Sequence, residues 1–171
     1  MKTHARVVVI GGGVVGVSTL YHLAQKGWSD VVLVERAELT AGSTWHAAGL
    51  LPLFNMSYTV GQLHKYSIDL YKRLQAETGQ DVSFHVTGNL RLATRRERMD
   101  EYQKYCGTAN TIGVPFQVIG PREVKELWPL LELGGSADTA AVIGALYHPH
   151  DGHIAPADLT NRLHLAASGS P

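Results

Sequence analysis

Three groups of residues have types and spacings that could do chemistry. The first is Gly11-Gly12-Gly13-Val14-Val15-Gly16, which has G-x-G-x-x-G spacing. In such a run the first glycine permits a tight turn, the second lets backbone approach a diphosphate, and the third lets a helix pack closely on a strand. The diphosphate then sits on unpaired N–H groups at the positive end of the helix dipole. Gly11, Gly13 and Gly16 take those three positions, with Val14 and Val15 between the last two. Glu35 follows Gly16 by nineteen residues. A carboxylate there accepts hydrogen bonds from ribose hydroxyls and repels a 2′-phosphate, which disfavours NADP and leaves NAD and FAD open. The second group is the segment from Arg36 to Asn55, rich in small and hydroxyl side chains, with one imidazole at His46. The third is His148, His150, Asp151 and His153. Its alternating spacing suits a preformed tetrahedral site poorly and no cysteine supports it, so no metal is expected. Asp151-Gly152 reads as a turn. Arg91 could bind a carboxylate bidentately, but the plainer reading is a solvated strand position.

These residues need elements to position them. Val7-Val8-Val9-Ile10 reads as a strand buried on both faces of a parallel sheet. Val17, Leu20, Leu23 and Ala24 then share one helical face, with Gly27 as the stop. Val31–Val34 is a second such strand, and right-handed crossover makes the pair parallel. This is a Rossmann-type β-α-β dinucleotide-binding unit. Residues 36–55 read as an ordered loop. A helix is predicted over 57–77, with Val60, Leu63, Leu70, Tyr71 and Leu74 on one face and Gly79 closing it. Further on, Leu90 and Leu92 alternate with polar residues as in a half-exposed strand. Thr94-Arg95-Arg96-Glu97 reads as a capping box for a helix from Arg95 to about Cys106, whose basic run is a solvated face. Strands are predicted at 116–119 and 142–147, a short helix from Pro121 stopping before Pro129, and a last helix from Pro156 to about Ala166. The fold class is α/β. The pattern changes near Asp81, so residues 1–80 are assigned to the nucleotide-binding domain, 81–147 to the start of an inserted antiparallel α+β module, and 148–171 to a return segment.

The balance of the chain narrows the classes. It has 171 residues, 15 Lys+Arg against 15 Asp+Glu, and 44% hydrophobic residues. Zero formal net charge argues against a nucleic-acid partner, and the apolar content argues against disorder. Cys106, the lone cysteine, excludes an internal disulfide and a cysteine-rich zinc site. No apolar stretch approaches the roughly 20 residues of a membrane span, so no membrane partner is expected.

The segment Glu38-Leu39-Thr40-Ala41-Gly42-Ser43-Thr44-Trp45-His46-Ala47-Ala48-Gly49-Leu50 resembles the dimethylglycine and sarcosine dehydrogenase family, flavoenzymes of the D-amino-acid-oxidase-like superfamily. The resemblance continues through Glu77-Thr78-Gly79-Gln80, residues 87–94, Leu127-Trp128-Pro129-Leu130-Leu131 and residues 147–154. It implies FAD as cofactor, bonded covalently at its 8α-methyl carbon to His46. It also implies oxidation of an N-methyl amino acid by hydride transfer to the flavin, and capture of the one-carbon unit by tetrahydrofolate or water. The electron acceptor would be a flavoprotein or oxygen. The cofactor-holding set is then Gly11, Gly13, Val14, Val15, Gly16, Glu35, Arg36, Gly42, Ser43, Thr44, Trp45, His46, Ala47, Ala48, Gly49 and Leu50. Imidazole suits such a bond because it is a nucleophile that is neutral near pH 7. Ala47, Ala48 and Gly49 leave room for a flat ring, Ser43 and Thr44 offer hydroxyls, and Trp45 reads as packing.

Relatives of this family are several times longer, with a second stretch of FAD domain and a folate-binding region. Residues that hold and deprotonate substrate are expected downstream, the tetrahydrofolate site is not expected in this chain, and the fold is expected to be incomplete, inactive alone and exposed along a sheet edge and core surface. Ala155 replaces the aspartate that caps the last helix in the family, a loss of about 1 kcal/mol. With no transit-like segment before the first strand, a bacterial cytoplasmic location is expected, the alternative being the mitochondrial matrix. A non-covalent FAD amine or amino-acid oxidase of the same superfamily, a non-catalytic FAD-binding fragment that pairs with a separate chain, and a nicotinamide dehydrogenase are the rival readings.

Overall fold

Val7–Ile10 (β1) and Val31–Val34 (β2) pair in parallel in the computed structural model, which describes residues 3–79, 81–136 and 139–169; Gln80 lies outside them. The register runs from Val7 opposite Val31 to Ile10 opposite Val34. Helix α1 (Val14–Gln25) connects them, and Gly27, at φ +79°, takes the left-handed position beyond its end. The strands are not buried on both faces as their composition predicts. Val8, Ile10 and Val34 are 53%, 86% and 48% exposed. Helix α1 covers one face of the pair, and no described element covers the other.

The remaining elements are β3 (Leu50–Leu51), α2 (Tyr58–Thr78), β4 (His85–Val86), β5 (Asn89–Ala93), α3 (Arg96–Ile112), β6 (Gln117–Ile119), α4 (Pro121–Leu127), β7 (Gly144–His148), β8 (Gly152–His153) and α5 (Pro156–Ser168). They form two compact units interleaved along the chain. One comprises residues 1–50, 68–85 and 153–171; the other comprises 51–67 and 86–152. The chain passes between them at four points, one of them inside α2. This explains why the predicted face of α2 is only partly buried. Leu70 and Leu74 are buried with Ile68, whereas Leu63 is 62% exposed. One helix serves two cores, so no single apolar stripe runs its length.

In the first unit α1 packs on α5, and Val17, Tyr21, Leu74, Leu159 and Leu163 are buried. Tyr21 keeps its hydroxyl satisfied by donating to Glu77 Oε2 at 3.0 Å. In the second unit β5, β7 and β6 form an antiparallel sheet in that order, with Arg91 opposite Leu146 and Ile119 opposite Ala145. Because side chains alternate, the two faces of the sheet make two cores. Ala93 and Leu146 pack with Tyr102, Tyr105 and Ala109 of α3, while Ala145 and Ile119 pack with Val124 of α4.

Helix α3 differs from its sequence reading. No capping box forms: Arg95 is the cap residue and makes no side-chain cap bond. The helix also runs past Cys106 to Ile112, where Gly113 ends it at φ +75°. Buried Tyr102, Tyr105, Ala109 and Ile112 recur at helical spacing across Gly107, and that burial outweighs the ~1 kcal/mol helix penalty of one glycine. Helix α5 begins after Ala155, which is extended and offers no cap. Asp158, in its first turn, accepts from Ser83 Oγ at 2.9 Å. No helix among the described residues is long and apolar enough to cross a membrane.

Ala155 already has a backbone suited to a cap, so Ala155→Asp should add the missing acceptor to the first-turn N–H groups. The expected gain is ~1 kcal/mol, read as a higher midpoint in thermal unfolding; an unchanged or lower midpoint would show that these donors already have partners.

Candidate functional site

The glycine turn between β1 and α1 is built by close approach. Gly11 adopts φ +109° and its N–H donates to Val34 O at 2.8 Å. A methyl group on Gly16 would run into the carbonyl oxygen of Gly11, so α1 lies on the end of β1 only because that position is bare. Gly12, the unspecified residue of the motif, is equally constrained. It is buried, and a Cβ there would meet Leu39 Cδ2 at 2.6 Å and Glu35 Cγ at 3.0 Å. Motif spacing misses this requirement because Leu39 and Glu35 create it from outside the motif.

Glu35 is engaged on both oxygens. Gly12 N–H donates to Oε2 at 2.6 Å, and the N–H groups of Arg36 and Ala37 donate to Oε1 at 2.7 and 3.1 Å. The Gly12 bond is the largest cause holding this carboxyl below its ordinary value, followed by that of Ala37. Thr40 also binds the turn, donating its N–H to Gly12 O at 3.0 Å while held at φ +71°. A threonine rarely adopts that backbone, so Leu39 and Thr40 are further residues that the motif did not reveal.

The segment read as a loop contains a 3-10 turn at Thr44–His46 and then β3. Thr44 is buried, and its Oγ1 accepts from the N–H of Val14, the first residue of α1, at 2.9 Å. Helix α1 has no acidic residue in its first turn and no capping side chain on Gly13 itself. Thr44 therefore satisfies one donor, and the positive end of the helix dipole meets no compensating charge within the helix. A Cβ on Gly13 would come within 3.0 Å of the same Thr44 oxygen. The structure thus brings together Gly11, Gly13, Val14, Gly16, Glu35 and Thr44. Val15 is 78% exposed, and Arg36, Gly42, Ser43, Ala47 and Ala48 are exposed as well.

His46 is exposed two residues beyond Thr44. Its Nδ1 lies 3.2 Å from Gly42 O, a bond possible only with the proton on Nδ1. Its ring packs against Trp45 with centroids 3.9 Å apart and planes tilted by 36°. Trp45 itself is 59% exposed and Leu50 65%, so neither is spent on the core. Gly49 is buried, and its carbonyl accepts from Ile154 N–H at 2.8 Å.

The histidine cluster resolves differently from a Asp151-Gly152 turn. The turn lies at Pro149–His150 and Gly152 belongs to β8. His148 and Asp151 are buried and joined at 2.7 Å through Nδ1 and Oδ1, which also accepts from Leu53 N–H at 3.0 Å. Phe116 stacks on the His148 ring at 4.5 Å. His85 and His153 are exposed with ring centroids 5.1 Å apart. No group of three or more potential ligands could hold a metal among the described residues.

A family model for FAD dependent oxidoreductase (DAO) matches residues 6–170. The chain belongs to that family. Over 166 residues it is 47% identical to the mitochondrial dimethylglycine dehydrogenase of Rattus norvegicus, covering 97% of this chain and 19% of that protein. It is 41% identical over 169 residues to the mitochondrial sarcosine dehydrogenase of Homo sapiens, covering 98% of this chain and 18% of the relative. The chain thus spans about a fifth of the length of these curated relatives. Among solved structures, L-proline dehydrogenase from P. horikoshii superposes with a TM-score of 0.88 at 30% identity, covering 99% of this chain and 43% of the other. The β-α-β unit and its glycine turn are therefore those of the DAO fold.

Gly16→Ala should destabilise this DAO chain by about 3 kcal/mol, since the backbone clash exceeds the ~1 kcal/mol that alanine gains in a helix. Denaturant unfolding measures it, and a neutral result would mean that α1 can slide off β1. Glu35, with its folded value depressed, contributes stability that is present above its unfolded value and lost as pH falls through the folded one. Glu35→Gln should therefore flatten the acid side of a plot of thermal midpoint against pH; an unaltered acid side would show that the backbone bonds do not favour the ionised form.

Proposed function

We propose that this chain is the flavin-holding part of an amine dehydrogenase that oxidises an N-methyl amino acid of the dimethylglycine or sarcosine type, with FAD bonded covalently to His46. The observation that carries the reading is the bond between Thr44 Oγ1 and Val14 N–H, which ties the peptide bearing His46 to the N-terminus of α1. The 47% identity to dimethylglycine dehydrogenase across nearly the whole chain supports the same substrate class.

The residues present fit FAD. The bare turn at Gly11–Gly13 and the uncompensated N-terminus of α1 suit a diphosphate. Ionised Glu35 suits a ribose hydroxyl, since Oε2 accepts a single backbone bond and keeps a second lone-pair site, whereas Oε1 already accepts two. Exposed Val15, Trp45 and Leu50 are apolar surfaces that a bound ring system would cover. Ser43, Ala47, Ala48 and Arg36 complete the set.

Bound FAD supplies the two-electron oxidation, and the protein supplies placement and electrostatics. His46 is prepared for attachment by its own hydrogen bond. With Nδ1–H donating to Gly42 O, the neutral tautomer of the ring carries its lone pair on Nε2, the nitrogen free to bond carbon. Trp45 limits the ring's rotation from one side. Thr44 holds the turn in place, and Glu35 keeps Gly12 and the start of α1 fixed to the end of β2.

Mass spectrometry of the denatured protein tests this. An added mass equal to FAD, absent in His46→Ala, is expected. FAD released without added mass would remove the covalent link and keep the cofactor, whereas protein purified with no flavin in either form would overturn the cofactor reading.

A further inference from the structure

Arg91 lies on β5 opposite Leu146, on the sheet face that α3 covers. It is half-buried, and its guanidinium carbon sits 4.3 Å from the centre of the Phe54 ring. Its Nε is buried without a hydrogen-bond partner. The tyrosine hydroxyls of this unit are engaged elsewhere. Tyr102 donates to Leu92 O at 3.3 Å; Tyr105 donates to Leu53 O at 3.0 Å and accepts from Asn55 N–H at 2.9 Å. Asp151, the buried acid of this unit, gives Oδ1 to His148 and Leu53, and its Oδ2 is buried without a partner. No carboxylate pairs with Arg91 among the described residues.

A guanidinium set into aromatic surroundings is costly to leave without a counter-charge. An aromatic ring against one face fixes its plane, and a planar fork held in advance is the arrangement that binds a carboxylate through two parallel bonds. The terminal nitrogens are not among the buried unpartnered atoms, so they remain open to solvent. We propose that Arg91 anchors the carboxylate of the amino-acid substrate. This rests on the reading above that the substrate is an N-methyl amino acid, and it assigns a residue to the half of that molecule which does not react.

The test follows the side-chain Nε–H signal of Arg91 by nuclear magnetic resonance in the isotopically labelled 171-residue chain, identified by its loss in Arg91→Lys. Two probes are added in turn: N,N-dimethylglycine, and N,N-dimethylaminoethanol, which carries the same amine without the carboxylate. A saturable shift with the first and none with the second is expected. Arg91→Gln should weaken dimethylglycine binding at least about tenfold, and Arg91→Lys should recover part of that loss, because lysine keeps the charge without the fork. A signal that neither probe moves, or that both move equally, overturns the proposal. The flavin reading is scored separately by the mass of the denatured chain. A flavin-bearing chain whose Arg91 ignores carboxylate retires the anchor alone; a responsive Arg91 in a flavin-free chain retires the cofactor reading alone.

Discussion

The short bond from Gly12 N–H to the Glu35 carboxylate is the constraint on which the first unit's site depends. It joins the turn after β1 to the end of β2, so the glycine turn and the acid cannot move independently. The parallel register of the two strands delivers both ends to the same place, and Gly11 N–H bonded to Val34 O repeats the connection one residue earlier. Thr40 and Thr44 then fasten the following peptide to the same turn through Gly12 O and Val14 N–H. A backbone turn bonded to four separate side chains or peptide groups is preorganised. A ligand arriving there need not spend binding free energy ordering it.

The second unit has its own organising contact, of a different kind. Tyr105, almost fully buried, uses its hydroxyl to hold both Leu53 O and Asn55 N–H, while Phe54 and Phe116 pack on its ring. Burial pushes that hydroxyl's pKa up, the chief cause, so it stays protonated and able to donate. His148 and Asp151 close the far end of β7, with the acid again reaching Leu53. The stretch around Leu53 is therefore held at successive backbone groups by side chains about 50 and 98 residues away in sequence. That stretch has no regular secondary structure of its own, and its order comes from those bonds.

Much of this was legible in the residues. Runs of β-branched residues marked β1 and β2, glycines marked the ends of α1 and α2, and Pro121 and Pro156 marked the starts of α4 and α5. The motif marked Gly11, Gly13 and Gly16 because their demands arise within a few residues of each other. Gly12 and Thr40 were invisible, since what restricts them is contact with Leu39, Glu35 and each other across the turn. The C-terminal reach of α3 is not marked locally, because burial of Ala109 and Ile112 beyond Gly107 sets it. Histidine spacing alone does not reveal the pairing of His148 with Asp151, because burial decides whether two such residues bond to each other.

The interleaving of the two units bears on how such a chain is inherited and cut. Because the backbone changes unit at 50/51, 67/68, 85/86 and 152/153, no single scission releases either body whole. A gene rearrangement that exchanged the antiparallel unit for a relative's would need matched breakpoints on both sides of each inserted stretch, and one of those breakpoints falls in the middle of a continuous helix. Diversification is thus channelled into point substitution on a shared frame, with whole-module shuffling disfavoured.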